Sequence, residues 1–207
     1  MIKLIQQNKG LYDAAFIIIE NGQQVGNIIV SGNVAMKLEA NIQINYKYTS
    51  LSLSRTDGKT AKQMTGLSMN PFSGYTRPFV LGNSNCSGVV FNDTKKGRKV
   101  LRFATEEYDM YPIGFGKKGI CCPVYKRGEC IGEVQKAPEV INDLHTYDIY
   151  PKYENDIVPF LIETIYYYIT AHYKAGQQTI SGKTVHTHTT TDKNRIRLCQ
   201  NPYYLNQ

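Results

Sequence analysis

The densest group of chemically capable side chains is a run of cations, Lys95, Lys96, Arg98, Lys99 and Arg102. Lys95 and Lys96 fall in a polar turn, and Arg98 and Lys99 open the segment after it. A turn that presents several cations suits a phosphate-bearing surface, where each basic residue contributes about 1 kcal/mol. Lys117, Lys118, Lys126 and Arg127 form a second basic group, which joins the first only if the turns share one end of the fold. The competing reading is ordinary solvated turn charge. Nucleic acid is the weaker partner, because no stacking aromatic motif or binding module surrounds these residues.

Other groups point less clearly to chemistry. The five cysteines, Cys86, Cys121, Cys122, Cys130 and Cys199, are odd in number and include an adjacent pair, a poor disulfide framework. Neighbours on a strand point to opposite faces, so Cys121 and Cys122 cannot share one ion. Buried free thiols are expected, as in a reducing cytoplasm. His186-Thr187-His188 places two imidazoles on one face of a strand, but no third ligand with metal-site spacing is visible. No metal and no cofactor is therefore expected. Glu163 and His172 interrupt an apolar run, and a carboxyl buried there must find a hydrogen bond or shift its pKa. The phosphate loop, the nucleophile elbow, the zinc-protease pair and the dinucleotide fingerprint are all missing.

The elements that position these residues must come from one domain. A chain of 207 residues with 42% apolar residues can bury its own core, and its net charge of +7 favours anionic partners. We expect a single domain over residues 1–199 with a short tail at 200–207. The first ten residues hold no apolar stretch of signal-peptide length, so a cytoplasmic chain, at most peripheral at a membrane, is expected.

Most of the first 150 residues read as short strands divided by turns. Asn21-Gly22 separates two β-branched runs, a hairpin signal. Residues 34–44 and 46–53 alternate in part, and Asp57-Gly58 reads as a second hairpin turn. Residues 92–97 and 126–129 are polar turns between further apolar runs, and 70–85 reads as a longer loop. Residues 177–185 and 194–199 are expected to add closing strands.

Residues 156–174 break the pattern. Asn155 or Asp156 can cap a helix there, and Pro159 sits in its first turn. Apolar residues occupy every side of the helical wheel, so the helix must be surrounded. Lipid is one surrounding, but the segment is short of about 20 apolar residues and carries Glu163 near its middle. The other is a β-shell. The expected fold is mainly β: a closed antiparallel barrel of about 10–12 strands, wider than the eight that side chains alone fill, enclosing the helix.

The stretch Gly119-Ile-Cys-Cys-Pro-Val-Tyr-Lys-Arg-Gly-Glu-Cys-Ile-Gly-Glu-Val-Gln-Lys136, then His145-Thr-Tyr-Asp-Ile-Tyr150 and the apolar helix, resembles the tubby C-terminal-like superfamily. That group includes the LURP-one-related proteins and the phospholipid scramblases. The resemblance implies a barrel wrapped around a central helix, and tubby proteins bind phosphoinositide headgroups through basic residues on the barrel exterior. The expected function is a non-catalytic module that docks on anionic lipid or on a protein partner. Its candidate residues are Lys95, Lys96, Arg98, Lys99, Arg102, Lys126 and Arg127. Two alternatives remain open: a scramblase-like chain with the helix in lipid, and an enzyme with a pocket near Glu163 or the His186/His188 pair.

Overall fold

The computed structural model describes residues 1–9, 13–32, 40–65, 78–82, 87–173 and 180–199. In chain order the elements are β1 (Ile2–Lys9), β2 (Asp13–Glu20), β3 (Gln23–Ser31), β4 (Asn41–Tyr46), β5 (Thr49–Arg55), α1 (Gly58–Thr65), β6 (Phe79–Leu81), β7 (Gly88–Asp93), β8 (Arg98–Phe103) and β9 (Glu106–Met110). They continue with β10 (Ile113–Gly116), β11 (Ile120–Lys126), β12 (Glu129–Lys136), β13 (Glu139–Ile141), β14 (Thr146–Pro151), a 3-10 turn (Glu154–Asp156) and α2 (Ile157–Ala171). Last come β15 (Lys183–Val185), β16 (His188–Thr189) and α3 (Lys193–Leu198).

Twelve antiparallel strands close into a barrel in the order β1 to β9, then β11, β12 and β14, which returns to β1. The last two closing joints are β11 against β12 and β12 against β14. β10 and β16 extend from the first residues of β11, outside the closed ring. β13 and β15 form a separate ribbon. Period-2 alternation sets the inner face: Leu4, Phe16, Ile18, Ile28, Ile42 and Leu53 are all fully buried.

The inner faces close on α2, which is roughly 22 Å long at its fifteen residues. Twelve of the fifteen are buried, far more than one face of an amphipathic helix supplies, so the helix is the core of the barrel. The ring of Tyr168 meets Phe16 edge-on at 4.9 Å, and that of Tyr166 meets Phe79 at 6.1 Å. These contacts tie the helix to opposite walls. The Tyr168 hydroxyl accepts from Gln6 Nε2 at 3.1 Å.

Four local expectations are corrected. The alternating run 46–53 is split by a turn at residues 47–48, where Lys47 adopts φ 50 and lets β4 and β5 form a hairpin. Asp57-Gly58 opens a helix instead of a hairpin. The Asp57 carboxylate accepts from the Thr60 amide at 2.8 Å and the Thr60 hydroxyl at 3.0 Å, which caps α1. Asp156 does not cap α2 with its side chain, because its carboxylate faces Tyr108 and Lys126. Residues 194–199 lie in α3 and its C-cap, not in a strand, and α3 is capped by Asp192, which accepts from the Asn194 amide. The expected strand 34–44 and closing strand 177–185, the loop 70–85, Cys86 and the tail fall wholly or partly outside the described residues.

Candidate functional site

The direction of α2 separates the basic residues into two ends. Lys126 donates to Asp156, just before the helix begins. Lys99 stands 5.8 Å from the ring centres of Tyr166 and Tyr167, in the last turns of the helix. The 126–129 turn and the 94–97 turn therefore lie at opposite ends of the barrel and form no common patch.

Most of the candidate cations are already paired. On the outer face of β8, Arg98 bridges Asp93 at 3.2 Å and Asp109, and Arg102 pairs Glu107 at 2.9 Å. These are cross-strand ion pairs that hold β7, β8 and β9 in register. Arg127 grips Glu106 with two guanidinium nitrogens, and Lys126 shares Asp156 with the Tyr108 hydroxyl. Lys95 and Lys96 remain exposed at the turn, with no carboxylate within salt-bridge distance among the described residues.

Lys99 is unlike the others. Strand alternation turns it inward, on the same face as Leu101. Its ammonium donates to Asn92 Oδ1 at 2.6 Å and faces a cavity of about 340 Å³ at the barrel mouth, lined also by the Asp93–Arg98 ion pair, Thr94, Gly97, Pro112 and Tyr167. Desolvation brings its pKa down to about 8, and the buried Cys122 and Glu163 offset a part of that fall. The group is still charged at neutral pH.

α3 adds cations that sequence reasoning missed, because residues 194–199 read as a strand. Arg195 donates to the Lys96 carbonyl at 2.8 Å and lies flat against Gly97, where any Cβ would collide with its guanidinium. The contact brings Lys193, Arg195 and Arg197 beside the 94–97 turn. Lys95, Lys96, Arg98, Lys99, Lys193, Arg195 and Arg197 thus share this end, with Lys117 and Lys118 in the turn before β11, alongside Asp93, which is bound to Arg98, and Asp192, which is 3.7 Å from Arg195.

Glu163 is fully buried, and among the described residues the one polar group that offsets its burial by hydrogen bonding is the Met110 backbone, whose contact falls short of good hydrogen-bond geometry. Burial pushes its pKa well above the ordinary carboxylate value, and the Asp109 carboxylate adds to the rise. It lines neither the Lys99 cavity nor a larger one of about 530 Å³ between the outer wall and Cys199.

Cys121 and Cys122 do point to opposite faces. Cys122 is in the core, while Cys121 donates outward to Glu133 at 3.1 Å. The His186/His188 pair, expected to stand alone, is joined by His145 and His172 at the same end of the barrel. Burial lowers the His145 pKa to about 3 and that of His172 further, with the Lys136 charge contributing to both. No helix among the described residues is long and apolar enough to cross a membrane. No family model matches the sequence, and no curated protein or solved structure matches it.

Proposed function

We propose that this protein is a non-catalytic docking module that recognises anionic membrane lipid with the barrel end where α2 terminates. The observation that carries the reading is the inward-facing Lys99 at the mouth of a cavity whose rim is basic. The cavity offers the Lys99 ammonium and the Thr94 hydroxyl to a phosphorylated headgroup. Lys95, Lys96, Lys193 and Arg197 surround it with exposed positive charge.

Magnitudes favour a combined mode. Four exposed cations at about 1 kcal/mol each give roughly millimolar affinity for an anionic surface. Recruitment at lower concentration needs a further seat, and a headgroup phosphate paired with a desolvated ammonium supplies one. The resemblance to the tubby-like superfamily supports the same reading but places the cations differently: here the outer-wall arginines are consumed by carboxylates. Of the two sites considered for an enzyme, Glu163 lines neither cavity described above, and the His186/His188 pair is taken up below. The scramblase reading loses its helix to the barrel core.

Co-sedimentation tests the proposal. Vesicles containing a phosphoinositide should pull down the full chain, zwitterionic vesicles should not, and rising salt should weaken the binding. Equal recovery on both vesicle types, or none on either, contradicts it.

A further inference from the structure

The four histidines of the chain come from three separate segments and meet at one place. His145 precedes β14, His172 follows the last turn of α2, and His186 and His188 lie at the start of β16. The His172 ring centre is 4.6 Å from that of His145, 5.5 Å from His188 and 6.2 Å from His186, and His145 is 5.4 Å from His186.

The inner two are the informative ones. His145 is 1% exposed and His172 4%. Both ring nitrogens of His145 and Nε2 of His172 have no hydrogen-bond partner among the described residues. The nearest carboxylate oxygen to His145, Asp143 Oδ1, is 3.8 Å from Nε2. A buried polar atom left unpaired costs about 1–3 kcal/mol. Three such atoms in one cluster are an expense that core packing alone does not explain, since an apolar ring would fill the same space.

We propose that the cluster is a binding site for a late first-row divalent metal ion, of the zinc, cobalt or nickel kind. Imidazole is the preferred ligand of these ions. Four-coordinate binding at about 2.0–2.1 Å from each nitrogen sets the ring centres roughly 5 Å apart, and the observed spacings bracket that value. The rings of His145 and His172 are stacked at 25°, and no three donors among the described residues yet converge on one point. Ligation therefore requires ring rotation. His186 and His188 can supply most of the movement, because they flank the start of a two-residue strand at the barrel rim.

Charge tempers the site. Lys136 is buried beside the cluster, its ammonium donating, among the described residues, only to the Ala137 carbonyl at 3.1 Å, and it opposes a cation. Asp143 lies on the other side, paired with Lys9. Affinity should therefore fall short of a structural zinc site, and removing the Lys136 charge should raise it. An ion held there would clamp the segment carrying β15, β16 and α3 onto the barrel end.

The test is cobalt titration of the full chain, read by the visible bands of tetrahedral cobalt and by calorimetry, then competition with zinc. Wild type should bind one equivalent. The double variant His186→Ala/His188→Ala, whose changes lie outside the core, should bind at least tenfold more weakly. Lys136→Met should bind at least threefold more tightly. Undetectable cobalt binding by the wild type overturns the proposal. So does binding that the double variant leaves unchanged while circular dichroism reports an intact fold.

Discussion

The ring of Phe160 on α2 lies against Gly132 of β12, so close that a Cβ at position 132 would stand 2.7 Å from Cζ of the ring. The same Cβ would collide with the Tyr150 carbonyl of β14, and the backbone there has φ +147. Gly132→Ala should therefore destabilise the fold by about 3 kcal/mol or more, through strain and overpacking together. Urea unfolding checks this. A loss below about 1 kcal/mol contradicts the close fit of the helix to its sheath.

The carboxylate of Asp156 joins the start of the helix to the wall. It accepts from Tyr108 Oη at 2.9 Å and from Lys126 Nζ at 3.0 Å, and it is 2% exposed. Asp156→Ala leaves a buried hydroxyl and a half-buried ammonium without their acceptor. We expect a loss of about 2–4 kcal/mol. Lys126→Met/Asp156→Leu should recover much of it, and chemical denaturation of the two variants gives the comparison.

Glu163 offers a pH test with a definite sign. Its folded pKa is raised, so the folded state keeps a proton that the unfolded chain releases near 4.5. Stability from this group is lost as pH rises above 4.5. Glu163→Leu removes the penalty and should be more stable than wild type at neutral pH by about 2 kcal/mol. The gap should close below pH 4.5. A destabilised Glu163→Leu at neutral pH means that the carboxyl has a required partner.

Lys99 gives the opposite profile. Its pKa falls from 10.5 in the open chain to about 8 in the fold. Below pH 8 the cost of burying the charge is fully present, and it is relieved as pH rises from 8 to 10.5. Lys99→Met should be more stable than wild type at pH 7 by up to about 3 kcal/mol. The advantage should vanish toward pH 10.5. Parallel profiles would mean that Lys99 faces solvent. A residue that weakens its own fold fits a binding role.

The barrel and its filling were legible in the sequence because both rest on burial. Turn residues at Asn21-Gly22 and Arg127-Gly128 supply the positive φ that their hairpins use. The unbroken apolar wheel of α2 required a surround. The errors came where a polar residue has two uses. Asp57 caps a helix in the same two-residue context that closes hairpins, and Lys47 adopts a turn conformation with no side-chain signal. The candidate site was half legible. Lys95, Lys96 and Lys99 could be named from spacing. Strand parity sends Lys99 inside and Arg98 outside, but that parity was fixed only once Leu101 faced the core. The histidine cluster was invisible, since its members lie up to 43 positions apart in sequence and meet only when the barrel closes.

The proposed function requires that one barrel end, and not basic charge in general, meets anionic lipid. Vesicle binding by two charge-matched variants separates these. Lys95→Ala/Lys96→Ala/Lys99→Met alters the end where α2 terminates, and Lys47→Asn/Arg127→Ala/Lys152→Ala removes three cations at the end where α2 begins. The first should bind phosphoinositide vesicles at least tenfold more weakly than wild type, and the second within about twofold of it. Equal losses in the two variants, or none in the first, would contradict the claim.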